Sequence, residues 1–322
     1  MGRWYITFHG GDDAHEWNNI HVFDLRGQPL GKALDTHTLP DGLQLRELRG
    51  FAFGPDGDLY VANAWQDASQ VLRFAGTPDA EGKHAFKAVF VEQHKTNPGL
   101  AHPFDVVFGA DGHVYVPSQD SNVVGRYFGP GAKAGEPGAP MPVPKALRDA
   151  DPKHILPGTF VASHKHDPTP AGVRTVRRAV FGPDGDLFVV DRDADSVKRY
   201  HSRSGAFQRE YRHDDLVKPV HAEFRPSDGA LLVGSRQQDA ILAIEVDSGE
   251  VETLVQPRAG GLDAPAGMAF GPDGTLYVAS RESKQILRFD PETGKPDSAP
   301  FIDALEDFPE FIALVPAHPD GA

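Results

Sequence analysis

The sequence predicts an all-β chain folded as a six-bladed β-propeller, with four-stranded antiparallel blades and a C-terminal strand that closes the ring by joining the N-terminal blade. Three observations predict it. A segment of one pattern recurs five times: GFAFGPDGDLYVANAWQDASQVLRF (50–74), DVVFGADGHVYVPSQDSNVVGRYF (105–128), RAVFGPDGDLFVVDRDADSVKRY (178–200), HAEFRPSDGALLVGSRQQDAILAIE (221–245) and GMAFGPDGTLYVASRESKQILRF (267–289). Each copy runs apolar strand, tight turn, apolar strand, polar loop, alternating strand, and a further strand-like run follows. The two chain ends supply the two parts of a sixth copy. Four-stranded units repeated every 40–50 residues or so are the signature of propeller blades.

The blades follow in chain order. RWYITFH (3–9), NNIHVFDLRG (18–27) and PLGKALDTHTL (29–39) read as the second, third and fourth strands of a blade that lacks its first. Five complete copies follow, their first residues 55, 73, 43 and 46 apart. Their fourth strands are KAVFVEQ (87–93), GTFVASH (158–164), AFQREY (206–211), EVETLVQ (250–256) and APFIDAL (299–305). FIALVPAHPDG (311–321) is the missing first strand with its turn. Residues 3–40 and 309–321 thus make one blade, 1–322 is expected as a single domain, and joining the ends leaves no free sheet edge. In each PDG turn, proline presets φ near −65°, aspartate caps locally and glycine supplies φ > 0. The one large insertion, 129–156, falls between the third and fourth strands of the third blade. It begins Gly/Pro-rich, and its PKALRDAD can form a short helical turn.

Composition narrows the chemistry. A net charge of −14 disfavours nucleic acid, because the overall field repels a polyanion. The absence of cysteine excludes disulfides, thiolate catalysis and zinc–cysteine sites. No apolar run approaches the roughly 20 residues that span a bilayer, so a soluble, monomeric protein without a membrane partner is expected. The start MGRWYITF lacks a basic region followed by an apolar one, which fits a cytoplasmic chain or an exported one whose signal has been removed.

The PDG turns occupy one face of such a ring, where their repeated residues are structural. The opposite face collects eight of the fifteen histidines: His9 and His15, His94 and His102, His164 and His166, His213 and His221. The residues that open each inner strand would line the central funnel: Arg49-Gly50, Phe104-Asp105, Arg177-Arg178, Val220-His221, Ala266-Gly267 and Glu310-Phe311. Charges there are costly unless paired or liganded. They form either an Arg–carboxylate network tying blades together, or an anion-binding funnel in which Asp105, His221 and Glu310 serve a metal or acid/base chemistry. The ends of the second strands add Asn63, Ser118, Asp191, Ser235 and Ser280, with Trp65, Asp120, Arg192, Arg236 and Arg281 just beyond. Asp191 is placed to cap its own loop, and Trp65 to wall a pocket. No Gly-rich phosphate loop, G-x-S-x-G elbow or H-E-x-x-H is present.

PAGMAFGPDGTLYVA (265–279) and PFDVVFGADGHVYV (103–116) carry a resemblance to the NHL-repeat and SMP-30/gluconolactonase-like group of six-bladed propellers, virginiamycin B lyase-like propellers included. The likeness covers nearly the whole chain. The group spans metal-bearing lactonases, lyases and non-catalytic binding modules. The resemblance implies a lactonase-type carboxylate at Glu310, whereas further metal ligands would fall on Ala266 or Val220. Relative to the amidating lyases, whose zinc histidine directly follows a proline, His221 comes one residue late in Pro219-Val220-His221. Pro103-Phe104-Asp105 is the other matching stretch.

These readings give an expected function. It is a propeller hydrolase (lactone- or ester-type) or lyase, metal-assisted, acting on a small, anionic substrate. His221, Asp105, Glu310 and His102 are its expected catalytic residues. Arg49, Arg177, Arg236, Trp65 and His9 would bind substrate, and His221, Glu310 and Asp105 would hold a divalent metal (calcium, zinc or another). The alternative is a propeller that binds a small molecule or peptide without chemistry.

Overall fold

The computed structural model describes residues 2–10, 16–65, 69–150 and 153–316. The chain is the six-bladed, all-β propeller that the repeats predict. His15 and the final PDG turn lie outside the described residues. The fold comprises two compact units: Met1–Leu48, Thr77–Ala85 and Tyr211–Ala322 in the first, Arg49–Gly76 and Phe86–Glu210 in the second.

In the first unit the chain ends meet in one sheet, ordered Pro309–Val315, Arg3–Phe8, Ile20–Phe23, Pro29–Lys32. The closing strand runs antiparallel to Arg3–Phe8, with Ile312 opposite Ile6 and Leu314 opposite Trp4. Trp4, Ile6, Phe8, Ala266, Tyr277, Ala279 and Ile312 pack into one buried cluster. Gly267 makes that packing possible. A Cβ there would lie 2.7 Å from both the Ile312 nitrogen and the Phe311 Cα, so only a glycine lets the two backbones approach this closely.

Two departures from the expected strands have local causes. The run 29–39 is broken at Ala33, where the Asn19 side chain accepts from the Leu34 N–H at 3.0 Å and donates to its carbonyl at 3.1 Å. Leu34–Asp35 then pairs in parallel with His84 and Ala85. The expected strand at 299–305 is a single bridge, Ile286 to Ile302, beside the three-stranded sheet Pro265–Phe270, Leu276–Ser280, Gln285–Phe289. Pro300 offers no N–H, and the Asp303 carboxylate takes the Ala304 N–H at 2.9 Å, so the ladder stops. Phe301 still packs against Tyr277, with ring centres 4.9 Å apart. The remaining sheet of this unit is Pro219–Phe224, Leu231–Ser235, Ala240–Ile244, Val251–Val255.

The second unit repeats the pattern in Leu59–Asn63 with Gln70–Phe74, in Val107–Phe108, Val114–Ser118, Val123–Tyr127 and Thr159–Val161, and in Val176–Phe181, Leu187–Asp191 and Ser196–Tyr200. The insertion lies along Val123–Tyr127: Met141 donates to the Arg126 carbonyl at 2.9 Å, and a helix follows at Lys145–Ala150. The turn glycines take the expected positive φ, 79° at Gly57 and 85° at Gly185. Turn aspartates of this unit grip their blades: Asp111 accepts from the Tyr115 hydroxyl at 2.9 Å and Asp184 pairs with Arg199. Asp56 accepts from the Tyr60 hydroxyl at 3.0 Å and pairs with Arg73 at 2.6 Å, which accounts for the recurrence of D-x-D-L-[YF] with a later arginine.

Candidate active site

The residues that open the inner strands are positioned by β-bulges. Extra residues fall at Glu310, Val220 and Ala266-Gly267 in the first unit and at Arg177-Arg178 in the second. A bulge interrupts the alternation of the strand and re-aims a side chain, and such bulges concentrate beside active sites. Strand alternation alone therefore misplaces these side chains.

In the first unit, Glu310 is the centre of a cluster. Its carboxylate accepts from Arg281 Nε at 2.8 Å, and His9 Nδ1 lies 3.5 Å away. The Glu310 side chain is 10 % exposed and that of His9 41 %, so a buried carboxylate backs an imidazole that solvent reaches. His9 is held by its backbone, which donates to the Phe308 carbonyl at 2.8 Å, and the next N–H, of Gly10, goes to Asp307 Oδ2 at 2.9 Å. The Arg281 guanidinium lies 4.6 Å over the Phe308 ring and also pairs with Glu282. Burial works against the Arg281 charge, but Glu310 and Glu282 outweigh it and push its pKa upward. Arg236 reaches Glu282 at 3.3 Å, extending the chain of charges. His221 is buried, its ring 5.4 Å from that of Phe311, the residue after Glu310.

In the second unit, Asp105 is fully buried and bonded to Arg178, and it accepts from the Val106 N–H at 2.8 Å. Burial pushes its carboxyl above the usual range, while Arg178 pulls the other way. Gly50 fits against it: a Cβ there would stand 2.0 Å from Asp105 Oδ1. This ion pair joins the segment before Val107–Phe108 to the strand Val176–Phe181. His102 has φ 54°; its N–H goes to Ser69 Oγ at 2.9 Å and its ring stands 3.9 Å from Asp120. Arg177 lies 5.1 Å over the Phe104 ring, Arg49 is buried, and the Trp65 carbonyl accepts from Ser69. Asp191 is structural, taking the backbone N–H groups of Arg174 and Thr175 and the Lys198 ammonium at 2.9 Å.

Among the described residues, no group of three or more His, Asp or Glu side chains is placed to hold a metal ion. Asp105 pairs with Arg178 and Glu310 with Arg281. What the structure brings together is Glu310 with His9, joined to Arg236 through Arg281 and Glu282. Sequence reasoning had no signal for Asp307 and Phe308, which no repeat pattern contains.

No family model matches the sequence. Among curated proteins, peptidyl-glycine alpha-amidating monooxygenases B and A of Xenopus laevis are similar. They are 23 % identical over 119 residues and 24 % over 132, covering 35 % and 38 % of this chain but only 14 % of each relative. The chain therefore matches about a seventh of the length of these relatives. Among solved structures, a nidogen/laminin complex is similar at TM-score 0.63 with 13 % identity, covering 98 % of this chain and 99 % of that one. The periplasmic gluconolactonase PpgL of Pseudomonas aeruginosa is similar at TM-score 0.58 with 17 % identity, covering 98 % and 99 %. A streptogramin B lyase is similar at TM-score 0.52 with 16 % identity, covering 80 % and 70 %. The three are at most 17 % identical to this chain, and what they establish is the fold, the six-bladed propeller.

Proposed function

We propose that this propeller is a metal-independent acid–base enzyme, a hydrolase or lyase for a small anionic lactone- or ester-type substrate, working at His9 and Glu310. The observation that carries the reading is an accessible imidazole 3.5 Å from a buried, Arg-held carboxylate. His9 would take a proton from water or from the substrate carbon. Glu310, paired with Arg281, would stabilise the imidazolium and orient the ring. Arg236 and Arg281 would draw in the anion.

The test is a panel of lactones and esters with wild type, His9→Ala and Glu310→Gln, with and without EDTA. Losses of about 10²–10⁴-fold in kcat are expected for His9→Ala, in the range of general acid–base catalysis. EDTA should change nothing, and His9→Ala should keep the wild-type melting temperature. Full activity in both variants would sink the reading. A second reading, a binding module without chemistry, is favoured by Glu282 and Glu310 both being paired to Arg281. Wild-type inactivity across the panel selects it.

A further inference from the structure

A polar cavity lies in the second unit. It has a volume of about 650 Å³ and is formed by the turn Asp120, Ser121 and Asn122, the loop Ser163–Arg174, and Leu156 and Asp193. That size falls in the range of small-ligand sites.

The cavity is held open by buried chemistry. Lys198, 3 % exposed, pairs with Asp191 at 2.9 Å and donates to the Gly172 carbonyl at 2.6 Å, tying the loop down from below. The Tyr200 hydroxyl holds the Ala171 carbonyl at 2.6 Å. The loop folds onto itself at Gly172, where a Cβ would lie 2.0 Å from the Asp167 carbonyl oxygen. His164 donates its N–H to Val173 at 2.7 Å, which closes the loop base.

The lining is polar and incompletely satisfied. Ser163 is 4 % exposed, and its Oγ has no hydrogen-bond partner among the described residues. Asn122 Oδ1, on a residue with φ 55°, is in the same condition. A native fold leaves buried polar atoms unsatisfied only rarely, and such atoms mark positions that water or a ligand fills. Charge supplies the ligand's sign. Lys165 and Arg174 line the cavity and make no ion pair among the described residues. The two acids are already engaged: Asp193 with Thr175 Oγ1 at 2.6 Å and Arg192 at 2.9 Å, Asp120 with Gln119 at 3.4 Å and His102 at 3.9 Å. His164 and the His166 ring, stacked on His154 at 6.3 Å, complete the wall.

We infer that this cavity is a binding site for a small hydroxylated organic anion. Its oxyanion lies against Lys165 and Arg174, and its hydroxyl groups bond Ser163 Oγ and Asn122 Oδ1. The site shares no residue with the His9–Glu310 cluster and does not depend on its chemistry.

Calorimetric titration of the full chain at low salt tests this with three probes: tartrate, succinate and inorganic phosphate. Tartrate should bind below about 10 mM, and succinate, with the same charges and no hydroxyls, about 10–100-fold more weakly, the worth of two hydrogen bonds at about 3–10-fold each. Phosphate binding tighter than tartrate identifies a phosphorylated ligand, and weaker binding identifies a carboxylate. Ser163→Ala should weaken tartrate by about 3–10-fold, the worth of one hydrogen bond, and leave succinate unchanged. The Lys165→Gln/Arg174→Gln double variant should weaken every probe by about 10-fold or more, as loss of charge-assisted bonds does. Asn122→Asp, which tolerates the same backbone, should repel tartrate, while His9→Ala should leave binding unchanged. The inference is overturned if no probe binds, or if binding survives both the double variant and Asn122→Asp in proteins with wild-type melting temperatures.

Discussion

Ile312 tests the closure of the ring. It sits in the strand Pro309–Val315, is 1 % exposed, and packs with Trp4, Ile6, Phe8, Ala266 and Tyr277. Ile312→Ala removes about three carbons, worth roughly 0.8 kcal/mol each in transfer from water, or about 2.4 kcal/mol. The cavity left behind adds to this, because Gly267 already seats its backbone against the same strand and leaves little room for collapse. The expected cost is about 3–4 kcal/mol, inside the range for such truncations. At about 2 °C per kcal/mol for a chain of this length, the melting temperature should fall by about 6–8 °C. Calorimetry or circular dichroism reads the shift, with Leu25→Ala, at a 36 % exposed site, as the control expected to move it by under about 1 °C. If Ile312→Ala moves the transition no more than Leu25→Ala, the closing strand is not part of the cooperative core and the argument fails.

Two further outcomes follow from buried charge. Arg178→Met leaves the Asp105 carboxylate buried without its partner, a loss of about 3–5 kcal/mol. A protonated Asp105 tolerates burial, so the loss should be larger at pH 8 than at pH 5; equal stability to wild type at pH 8 rejects the ion-pair role. His21, between the Trp17 ring at 4.4 Å and the Phe8 ring at 5.1 Å, has its pKa lowered to about 4, chiefly by burial and then by Lys32. Its ordinary value is 6.5, so below that pH the unfolded chain binds the proton first. Stability is therefore intact above pH 6.5 and falls as the pH drops toward 4, by about 2–3 kcal/mol. His21→Phe should flatten that part of the stability–pH curve, and an unchanged curve would show that His21 is not the titrating group.

The fold was legible in the sequence because its elements are local. A strand–PDG–strand unit needs only alternation and a glycine at φ > 0, and both recur in chain order. The split blade was legible because its two halves complete the same pattern. The fourth strand at 299–305 misled because its apolar residues do pack, while Pro300 and the Asp303 cap deny it a ladder. Glu310 and His9 were each named from the sequence. Their pairing depended on a bulge and on Arg281, Asp307 and Phe308, which the repeat does not encode.

The sequence by itself determined the blade, its repetition and the joining of its ends, since hydrophobic period and turn chemistry act over a few residues. Tertiary structure alone decided which charges met. Asp105 went to Arg178, 73 residues away, and Glu310 to Arg281, 29 residues away. A buried carboxylate takes whichever cation the packing delivers to it. That choice set a buried Glu310 behind the accessible His9 and held open a separate cavity over the buried Lys198–Asp191 pair.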